Sequence, residues 1–187
     1  MLPICLMSVV ESRNGCSGQL ELWIGKIAAD ADSHALADLY HCTSAAVYAF
    51  ALSIVKNTYD AEDVLHDCYV KVFSAAQTYR PCGKPMAWIM AIARNLCLHK
   101  LREHQRTADF PAENWEEALE AQETISHEDR IIIRECMNRL SEEERQIVVL
   151  HAASGFKHRE IAQVLELPLP TVLSKYHRAI KKLQKYL

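Results

Sequence analysis

Long uninterrupted apolar runs are missing from this chain of 187 residues. A membrane-spanning helix needs about 18 consecutive apolar residues, and polar or charged residues interrupt every apolar run before that length. The apolar start of the chain, residues 1–10, also lacks the basic segment and the small-residue cleavage site of a secretory signal. We therefore expect a cytoplasmic protein with no membrane insertion.

Closely spaced metal ligands are also missing. The 7 cysteines and 9 histidines include no CxxC pair and no HxxxH pair, and structural zinc sites are built from such pairs. An odd number of cysteines argues against a disulfide framework and fits a reducing compartment. We expect no bound metal and no other cofactor.

The formal net charge of −3 conceals an uneven distribution. Residues 19–106 carry 9 basic and 9 acidic residues, 107–128 carry 7 acidic residues and no basic one, and 129–187 carry 11 basic residues against 7 acidic ones. This order predicts a domain over 19–106, a solvated acidic linker over 107–128 and a second domain over 129–187. Residues 1–18 lie outside these units and are expected to form a flexible N-terminal extension.

Apolar residues recur at helical spacing, and no segment has the alternation of a strand. Asp60 is predicted as the N-cap of one helix, and Ser141 with Glu144 forms the capping-box pattern of another. Two prolines and a glycine predict a loop over 78–85. The fold class is therefore all-α, with two small helical domains. The predicted helices cover about residues 36–54, 60–76, 86–106, 129–139, 141–154, 157–165 and 170–186.

The last two of these helices form a helix-turn-helix pattern, which places its second helix in the major groove of DNA. Polar and basic residues are predicted to face away from the core of this second helix: Thr171, Lys175, Arg178, Lys182 and Lys185. The same lysines would suit an ordinary solvated surface near a helix C-terminus. The pattern alone leaves both interpretations open.

The predicted helix over 86–106 carries a second stripe of candidate nucleic-acid residues. At intervals of three or four positions it presents Trp88, Ala91, Asn95, His99, Arg102 and Arg106. Unpaired strands bind to surfaces where bases stack on aromatic rings beside basic groups. The alternative, that Trp88 anchors the core while the arginines face solvent, is equally compatible with the spacing.

Acidic residues cluster near the start of the predicted helix over 60–76, at Asp60, Glu62, Asp63 and Asp67. Paired carboxylates invite an acid–base hypothesis, but acids are favoured at helix N-termini by the helix dipole alone. No nucleophile, metal cluster or complementary histidine lies at a motif spacing nearby. We expect no catalytic residue and no enzymatic activity.

Three segments resemble extracytoplasmic function (ECF) sigma factors: DAEDVLHDCYVKVF, KPMAWIMAIARNLCLHKLRE and the C-terminal LSEEERQIVVLHAASGFKHREIAQVLELPLPTVLSKYHRAIKKL. The resemblance covers about residues 20–187. It implies that 19–106 is sigma region 2 and that 129–187 is sigma region 4. It also implies promoter-specific transcription initiation in response to stress or another signal, with core RNA polymerase, promoter DNA and an anti-sigma factor as partners.

The resemblance assigns residues to three surfaces. The surface for the polymerase clamp helices would contain Asp60, Glu62, Asp63, Asp67, Tyr69 and Phe73. The surface that melts and holds the minus-ten element would contain Tyr79, Arg80, Lys84, Trp88, Asn95, His99 and Arg102. The surface that reads the minus-thirty-five duplex would contain Lys157, Thr171, Ser174, Lys175 and Arg178, while another side of region 4 engages the polymerase flap.

The chain departs from the family pattern in the turn before the second helix of the helix-turn-helix and within that helix. Glu166 and Pro168 stand where a glycine and a serine-like cap are common, and Leu173 and Lys175 stand where a lysine and an arginine are common. The minus-thirty-five sequence is therefore not predicted. A stand-alone helix-turn-helix regulator is the main alternative, but it leaves residues 60–106 unexplained. An enzyme using Asp63 and Asp67 lacks other catalytic groups, and an interaction module leaves the basic helix face unexplained.

Overall fold

The computed structural model describes residues 17–81, 83–107 and 137–185. The regular elements in these ranges are all helical, which confirms the predicted all-α class. None of the helices described there is both long and apolar enough to cross a bilayer. The predictions for residues 1–16, for the linker after Thr107 and for the helix over 129–136 lie outside the described residues.

Most of the described helices follow the predicted periodicity. The helices are α1 (Ser17–Asp30), α2 (Ser33–Val55), α3 (Thr58–Ala75), α4 (Pro85–Thr107), α5 (Glu142–Ser154), α6 (His158–Leu165) and α7 (Leu169–Leu183), and a 3-10 turn at Ala76–Thr78 follows α3. Helix α1 was not predicted. Its signal is the spacing of Leu20, Ile24 and Ile27, which form one buried stripe.

The junction between α2 and α3 is tighter than expected. Lys56 ends α2 in the left-handed conformation, with φ of 57°. Asn57 then caps α3, because its side-chain oxygen accepts from the backbone N–H of Asp60 at 3.0 Å. The prediction of Asp60 as the N-cap is wrong, and Asp60 lies in the first turn of the helix.

The start of α5 confirms the capping-box prediction. The Ser141 hydroxyl accepts from the backbone N–H of Glu144 at 3.3 Å, and the Glu144 carboxylate accepts from the backbone N–H of Ser141 at 2.9 Å. These bonds satisfy donors that a helix N-terminus otherwise leaves unpaired. Glu144 also accepts a hydrogen bond from Lys182 Nζ at 2.6 Å, so the capping residue links α5 to the end of α7.

Helices α1 to α4 enclose a continuous apolar core. Its large side chains are fully buried and come from all four helices: Ile24, Leu39, Phe50, Val64, Val72, Ile89 and Met90. Truncating one such side chain to alanine typically costs about 2 to 5 kcal/mol of stability. This core fixes the orientation of α3 and α4, which carry most of the predicted site residues.

Helices α5 to α7 pack onto this core rather than standing apart from it. Helix α5 lies against α2, and α6 lies against α4. Ile147 and Leu150 of α5, Ile161 of α6 and Val172 of α7 all belong to the same buried cluster as the core of α1 to α4. The sequence left the arrangement of the two halves open, and the structure packs them together.

Polar contacts made by Lys56, Lys84 and Arg94 also join the two halves around this shared core. Lys56 lies 3.6 Å from the Glu142 carboxylate. Lys84 donates to the Gln163 side chain at 3.0 Å. Arg94 pairs with Glu166 at 3.1 Å, and it also donates to the carbonyl of Leu165 at 3.3 Å. The contacts of Lys84 and Arg94 hold α6 against the helix that carries most of the predicted minus-ten residues.

Candidate functional site

Helix α3 presents a stripe of exposed apolar and acidic side chains, which we call the α3 stripe. It consists of Tyr59, Glu62, Asp63, His66, Asp67, Val70 and Phe73. The apolar members Tyr59, Val70 and Phe73 are 67%, 54% and 39% exposed. Apolar groups grouped with acids on one rigid helix form a surface suited to a basic, apolar protein partner.

Sequence reasoning missed three members of this stripe, Tyr59, His66 and Val70. Their spacing from Phe73 was the available signal, because positions 59, 66, 70 and 73 fall on the same side of a helix. Asp63 is on the stripe but also pairs with Lys100 of α4 at 2.8 Å. That hydrogen bond is the main cause that raises the pKa of Lys100, with burial opposing it.

Asp60 and Tyr69 lie inside the fold, so neither side chain is part of the α3 stripe. Asp60 is 7% exposed, and its carboxylate lies 3.0 Å from His104 Nε2 and 3.6 Å from Lys100 Nζ. Tyr69 is 6% exposed, its hydroxyl is 2.6 Å from that of Thr43, and burial raises its pKa. Both residues hold helices together, which spacing within α3 alone could not show.

The loop between the 3-10 turn and α4 brings Tyr79 and Trp88 together. Their ring centroids are 5.0 Å apart at an interplanar angle of 50°. The Tyr79 hydroxyl donates to the Glu21 carboxylate of α1 at 2.9 Å. Arg80 and Lys84 lie within this loop and are exposed. The loop therefore combines a fixed aromatic pair with two cations.

Helix α4 continues that surface along one face. Trp88 is half-buried, whereas Asn95, His99 and Arg102 are exposed. His99 lies 3.4 Å from Glu103 one turn later. An aromatic ring followed by exposed polar and basic groups is able to bind an unpaired strand. The structure thus brings together all seven predicted minus-ten residues on one loop and one helix.

The turn between α6 and α7 is closed by a residue in the left-handed conformation. Glu166 has φ of 56°, and the backbone N–H of Leu167 donates to the carbonyl of Ala162 at 3.0 Å. A left-handed residue at this position lets the last helical carbonyls find donors. Glycine and sometimes asparagine adopt this conformation, and other residues rarely do. Pro170 lies in the first turn of α7, where proline is accommodated without loss of a hydrogen bond.

The outward face of α7 differs from the predicted one. Val172 and Ala179 are fully buried and define the inner side of the helix. Lys175 lies beside that inner side, is 20% exposed and pairs with Glu143 of α5. Lys182 likewise turns toward α5 and pairs with Glu144. The prediction that Lys175 faces away from the core is therefore wrong, whereas Lys182 is 45% exposed, as predicted, although it pairs with Glu144.

Other polar residues occupy the exposed side of α7. The residues that lie there are Ser174, His177, Arg178, Lys181 and Lys185, and we call this set the α7 face. His177 and Lys181 were missed, although counting 100° per residue from Val172 would have placed them there. Thr171 is half-buried, and Lys157 is exposed at the start of α6. The α7 face keeps a net positive charge suited to phosphate contacts.

Three rings join α5, α6 and α7 behind the α7 face. The centroids of His151 and His158 are 5.0 Å apart, and Tyr176 lies 5.0 Å from the first and 4.6 Å from the second. Burial, reinforced by the neighbouring His151 and His177, lowers the pKa of His158. The cluster joins the three helices, and its packing favours the neutral form of His158.

The described residues contain no group of three or more histidine, cysteine or acidic side chains that could hold a metal ion. Cys68 and Cys97 are buried, and burial raises the pKa of each thiol to about 12. Thiols with such a pKa are protonated and poorly nucleophilic at neutral pH. What the described surfaces offer is binding: an acidic and apolar stripe and two cationic faces.

Two family models match consecutive parts of the chain. The model for Sigma-70 region 2 matches residues 39–107, and the model for Sigma-70 region 4 matches residues 130–183. The first therefore ends at α4 and includes the α3 stripe. The second includes α5, α6 and α7.

Two curated proteins illustrate the similarity. The ECF RNA polymerase sigma factor SigK of Mycobacterium sp. (strain KMS) is 26% identical over 166 residues, which cover 85% of this chain and 86% of that protein. The ECF RNA polymerase sigma factor SigE of Mycolicibacterium smegmatis is 31% identical over 147 residues, covering 75% of this chain and 57% of that protein.

Among solved structures, the sigma factor RpoE from Bartonella quintana, in complex with the anti-sigma factor NepR, is similar in fold. The TM-score is 0.63 at 22% identity, and the match covers 79% of this chain and 92% of that one. At this identity the match speaks for the helical fold alone.

Proposed function

The chain belongs to the extracytoplasmic function (ECF) sigma factors, and from this membership we propose how its surfaces divide the work of transcription initiation. As a sigma factor it binds core RNA polymerase and directs it to promoter DNA. The observation that carries the division is that an acidic, apolar stripe and two cationic faces lie on three separate helices.

The α3 stripe docks on the polymerase clamp helices. Val70 and Phe73 supply apolar area, and Asp63 and Asp67 supply charges that steer and orient the partner. Asp60 and Tyr69 support this surface from within through their bonds to His104 and Thr43. The stripe is exposed in the packed arrangement of the chain, so docking on polymerase needs no prior change of shape.

The loop before α4 and the face of α4 hold the unpaired minus-ten strand. Tyr79 and Trp88 offer an aromatic platform, while Arg80, Lys84 and Arg102 meet phosphates. Asn95 and His99 lie between them on the exposed face of α4, where Asn95 meets base edges and His99 does so by leaving Glu103. The α7 face enters the major groove of the minus-thirty-five duplex, with Arg178 as its bidentate donor.

Both promoter elements are engaged together only after α5 to α7 leave α2 and α4. The elements lie about two DNA turns apart, or about 70 Å, whereas α6 is in direct contact with α4. The 22 residues of the acidic linker, 107–128, reach about 75 Å when extended. The linker is thus long enough for the separation.

The chain acts in the cytoplasm, where core polymerase is found, and it has no catalytic activity of its own. Its activity follows a stress or another signal, and an anti-sigma factor restrains it. The family supports this partner, because the similar sigma factor RpoE was solved in complex with an anti-sigma factor.

In vitro transcription tests the proposal. Purified chain is added to sigma-free core polymerase on genomic fragments, and discrete start sites are mapped. The double variant Asp63→Ala/Asp67→Ala should weaken every start site together with co-elution on core polymerase. The matched control Asp30→Ala/Asp38→Ala removes the same charge from exposed positions on α1 and α2 and should leave both readouts unchanged. Absence of start sites with the wild-type chain would refute the proposed function.

A further inference from the structure

Glu21 of α1 holds both ends of the loop that precedes α4. One of its carboxylate oxygens, Oε1, accepts from the Tyr79 hydroxyl at 2.9 Å and from the backbone N–H of Gly83 at 2.8 Å. The two donors are separated by 58 and 62 positions from Glu21 in the chain. A single oxygen therefore closes the loop into a turn and fixes it to a different helix.

The helix that carries Glu21 is anchored independently of the loop. Leu20 and Ile24, on either side of Glu21 along α1, are 5% and 1% exposed and belong to the core. Helix α1 also packs against the 3-10 turn and against α4. Glu21 therefore offers the loop a point of attachment on a fixed helix.

The hydrogen bond from Tyr79 passes this constraint on to Trp88. The Tyr79 ring packs on the indole at a centroid distance of 5.0 Å, so fixing the hydroxyl also fixes the ring against α4. Gly83 has φ of 73°, a conformation that suits glycine and turns the chain toward Lys84. The aromatic pair and the cations of the loop are thereby arranged before any strand arrives.

The charge of Glu21 is the wrong one for a direct role in DNA binding. A carboxylate beside a phosphate backbone weakens binding, so a surface that binds DNA gains nothing from it as a contact. Its contribution must come from the two hydrogen bonds that it accepts from Tyr79 and Gly83. Charge-assisted hydrogen bonds of this kind are stronger than neutral ones.

We propose that Glu21 is a positioning residue for promoter melting: through Tyr79 and Gly83 it preorganises the loop and the Tyr79–Trp88 pair that capture the unpaired minus-ten strand. This inference rests on the proposed function. A loop without this anchor would have to be ordered when the strand binds, and that entropy loss would reduce the yield of open complexes.

The test compares Glu21→Gln, Glu21→Asp and Glu21→Ala in holoenzyme assembled with core polymerase. The template is a promoter mapped with the wild-type chain, used as an intact duplex and with a mismatched, pre-opened minus-ten segment. Glutamine keeps an oxygen at the same reach, whereas aspartate is one methylene too short for both donors. Asp30→Ala, which removes an exposed acid from the same helix, is the control.

We expect Glu21→Asp and Glu21→Ala to lower initiation from the duplex by about fivefold to tenfold, as expected for the loss of one or two hydrogen bonds. Glu21→Gln should stay within about twofold of the wild type. The loss should also appear with the pre-opened template, because the unpaired strand still has to be captured by the loop. Core binding and the melting temperature should not follow this order.

Other outcomes overturn the inference. Higher initiation with Glu21→Gln and Glu21→Ala, the two variants that remove the charge, would show that Glu21 acts only by repelling DNA. A loss that follows a lower melting temperature from variant to variant, or an undiminished yield with the pre-opened template, would show that Glu21 has no role in strand capture. Tyr79→Phe, which removes one donor and keeps the ring, should reproduce part of the Glu21→Ala effect and should not add to it. If the wild-type holoenzyme itself gave no start sites, the proposed function would fail, not this inference alone.

Discussion

Arg94 of α4 and Glu166 of the turn before α7 lie 72 positions apart in the chain and form an ion pair at 3.1 Å. Glu166 adopts φ of 56°, which costs an L-residue about 1 to 2 kcal/mol. Its side chain is 75% exposed, and an ion pair so exposed contributes only about 0.2 to 1 kcal/mol. The glutamate therefore does not stabilise the turn relative to a glycine, and what it adds is a link between the two halves of the chain.

Replacing Glu166 by glycine should not destabilise the chain. Glycine relieves the left-handed conformation, which costs about 1 to 2 kcal/mol, whereas the exposed pair with Arg94 contributes at most about 1 kcal/mol, so the melting temperature should stay the same or rise. The two halves should remain packed, because their shared apolar core is unchanged, and the radius of gyration in small-angle scattering should match the wild type. Glu166→Asn, which tolerates this conformation but is too short for Arg94, should behave alike. A clearly lower melting temperature for both variants would show that the pair with Arg94 outweighs the backbone cost.

Asp60 and Asp67 are both acids of α3, and their substitutions should have opposite consequences. Asp60→Ala leaves His104 and Lys100 without their shared carboxylate inside the fold, which should cost about 2 kcal/mol of unfolding free energy. Asp67→Ala removes an exposed group and should change stability by less than about 0.5 kcal/mol. Urea unfolding gives the first quantity.

Binding to core polymerase, measured by fluorescence anisotropy of the labelled chain, separates the same two variants. Asp67→Ala should weaken binding although its stability is unchanged. Asp60→Ala should bind normally under conditions where it remains folded. Weak binding by folded Asp60→Ala together with normal binding by Asp67→Ala would show that the docking surface is not the α3 stripe.

His158 should make the stability of α5 to α7 depend on pH. Burial beside His151 and Tyr176 lowers its pKa from the ordinary value of 6.5, so the unfolded chain binds the proton more tightly. The contribution of the neutral imidazole is complete above pH 6.5 and is lost as the pH falls below that value toward the folded-state pKa. The melting temperature should therefore drop between about pH 7 and pH 5.

A matched pair of variants isolates this effect. His158→Phe keeps a ring in the cluster but does not titrate, so it should flatten the pH dependence of the melting temperature. His66→Gln removes an exposed histidine from α3 and should leave the dependence unchanged. An equally steep profile for His158→Phe would assign the acid sensitivity to other groups.

Helix positions were predictable because burial of one face imposes a period on the sequence. The helices from α2 onward in the described residues follow that period within a few positions. Errors arose where a local hydrogen bond decided the outcome. Asn57, not Asp60, caps α3, since its side chain reaches the backbone N–H of Asp60. Either residue is a suitable cap by type, so composition could not choose between them.

The faces of the helices were predictable only in part. Spacing indicates which residues share a side, but it does not show which neighbouring helix covers the flank. Tyr69 was assigned to a surface and is covered by α2 through Thr43. Lys175 was assigned to the DNA side and is drawn to Glu143 of α5. Both errors concern contacts between residues more than 25 positions apart, which no local pattern contains.

Lys181 and Lys175 of α7 should contribute unequally to promoter binding. Lys181 is exposed in the middle of the α7 face, whereas Lys175 is 20% exposed and already paired with Glu143. A lysine that contacts phosphate releases one counterion, so Lys181→Ala should lower the salt slope of promoter binding by about 1. Lys175→Ala should change this slope little and instead lower the melting temperature slightly. Holoenzyme binding to a labelled duplex promoter at several salt concentrations measures the slope. If Lys175→Ala lowered the slope as much as Lys181→Ala, Lys175 would have to exchange Glu143 for phosphate when DNA binds.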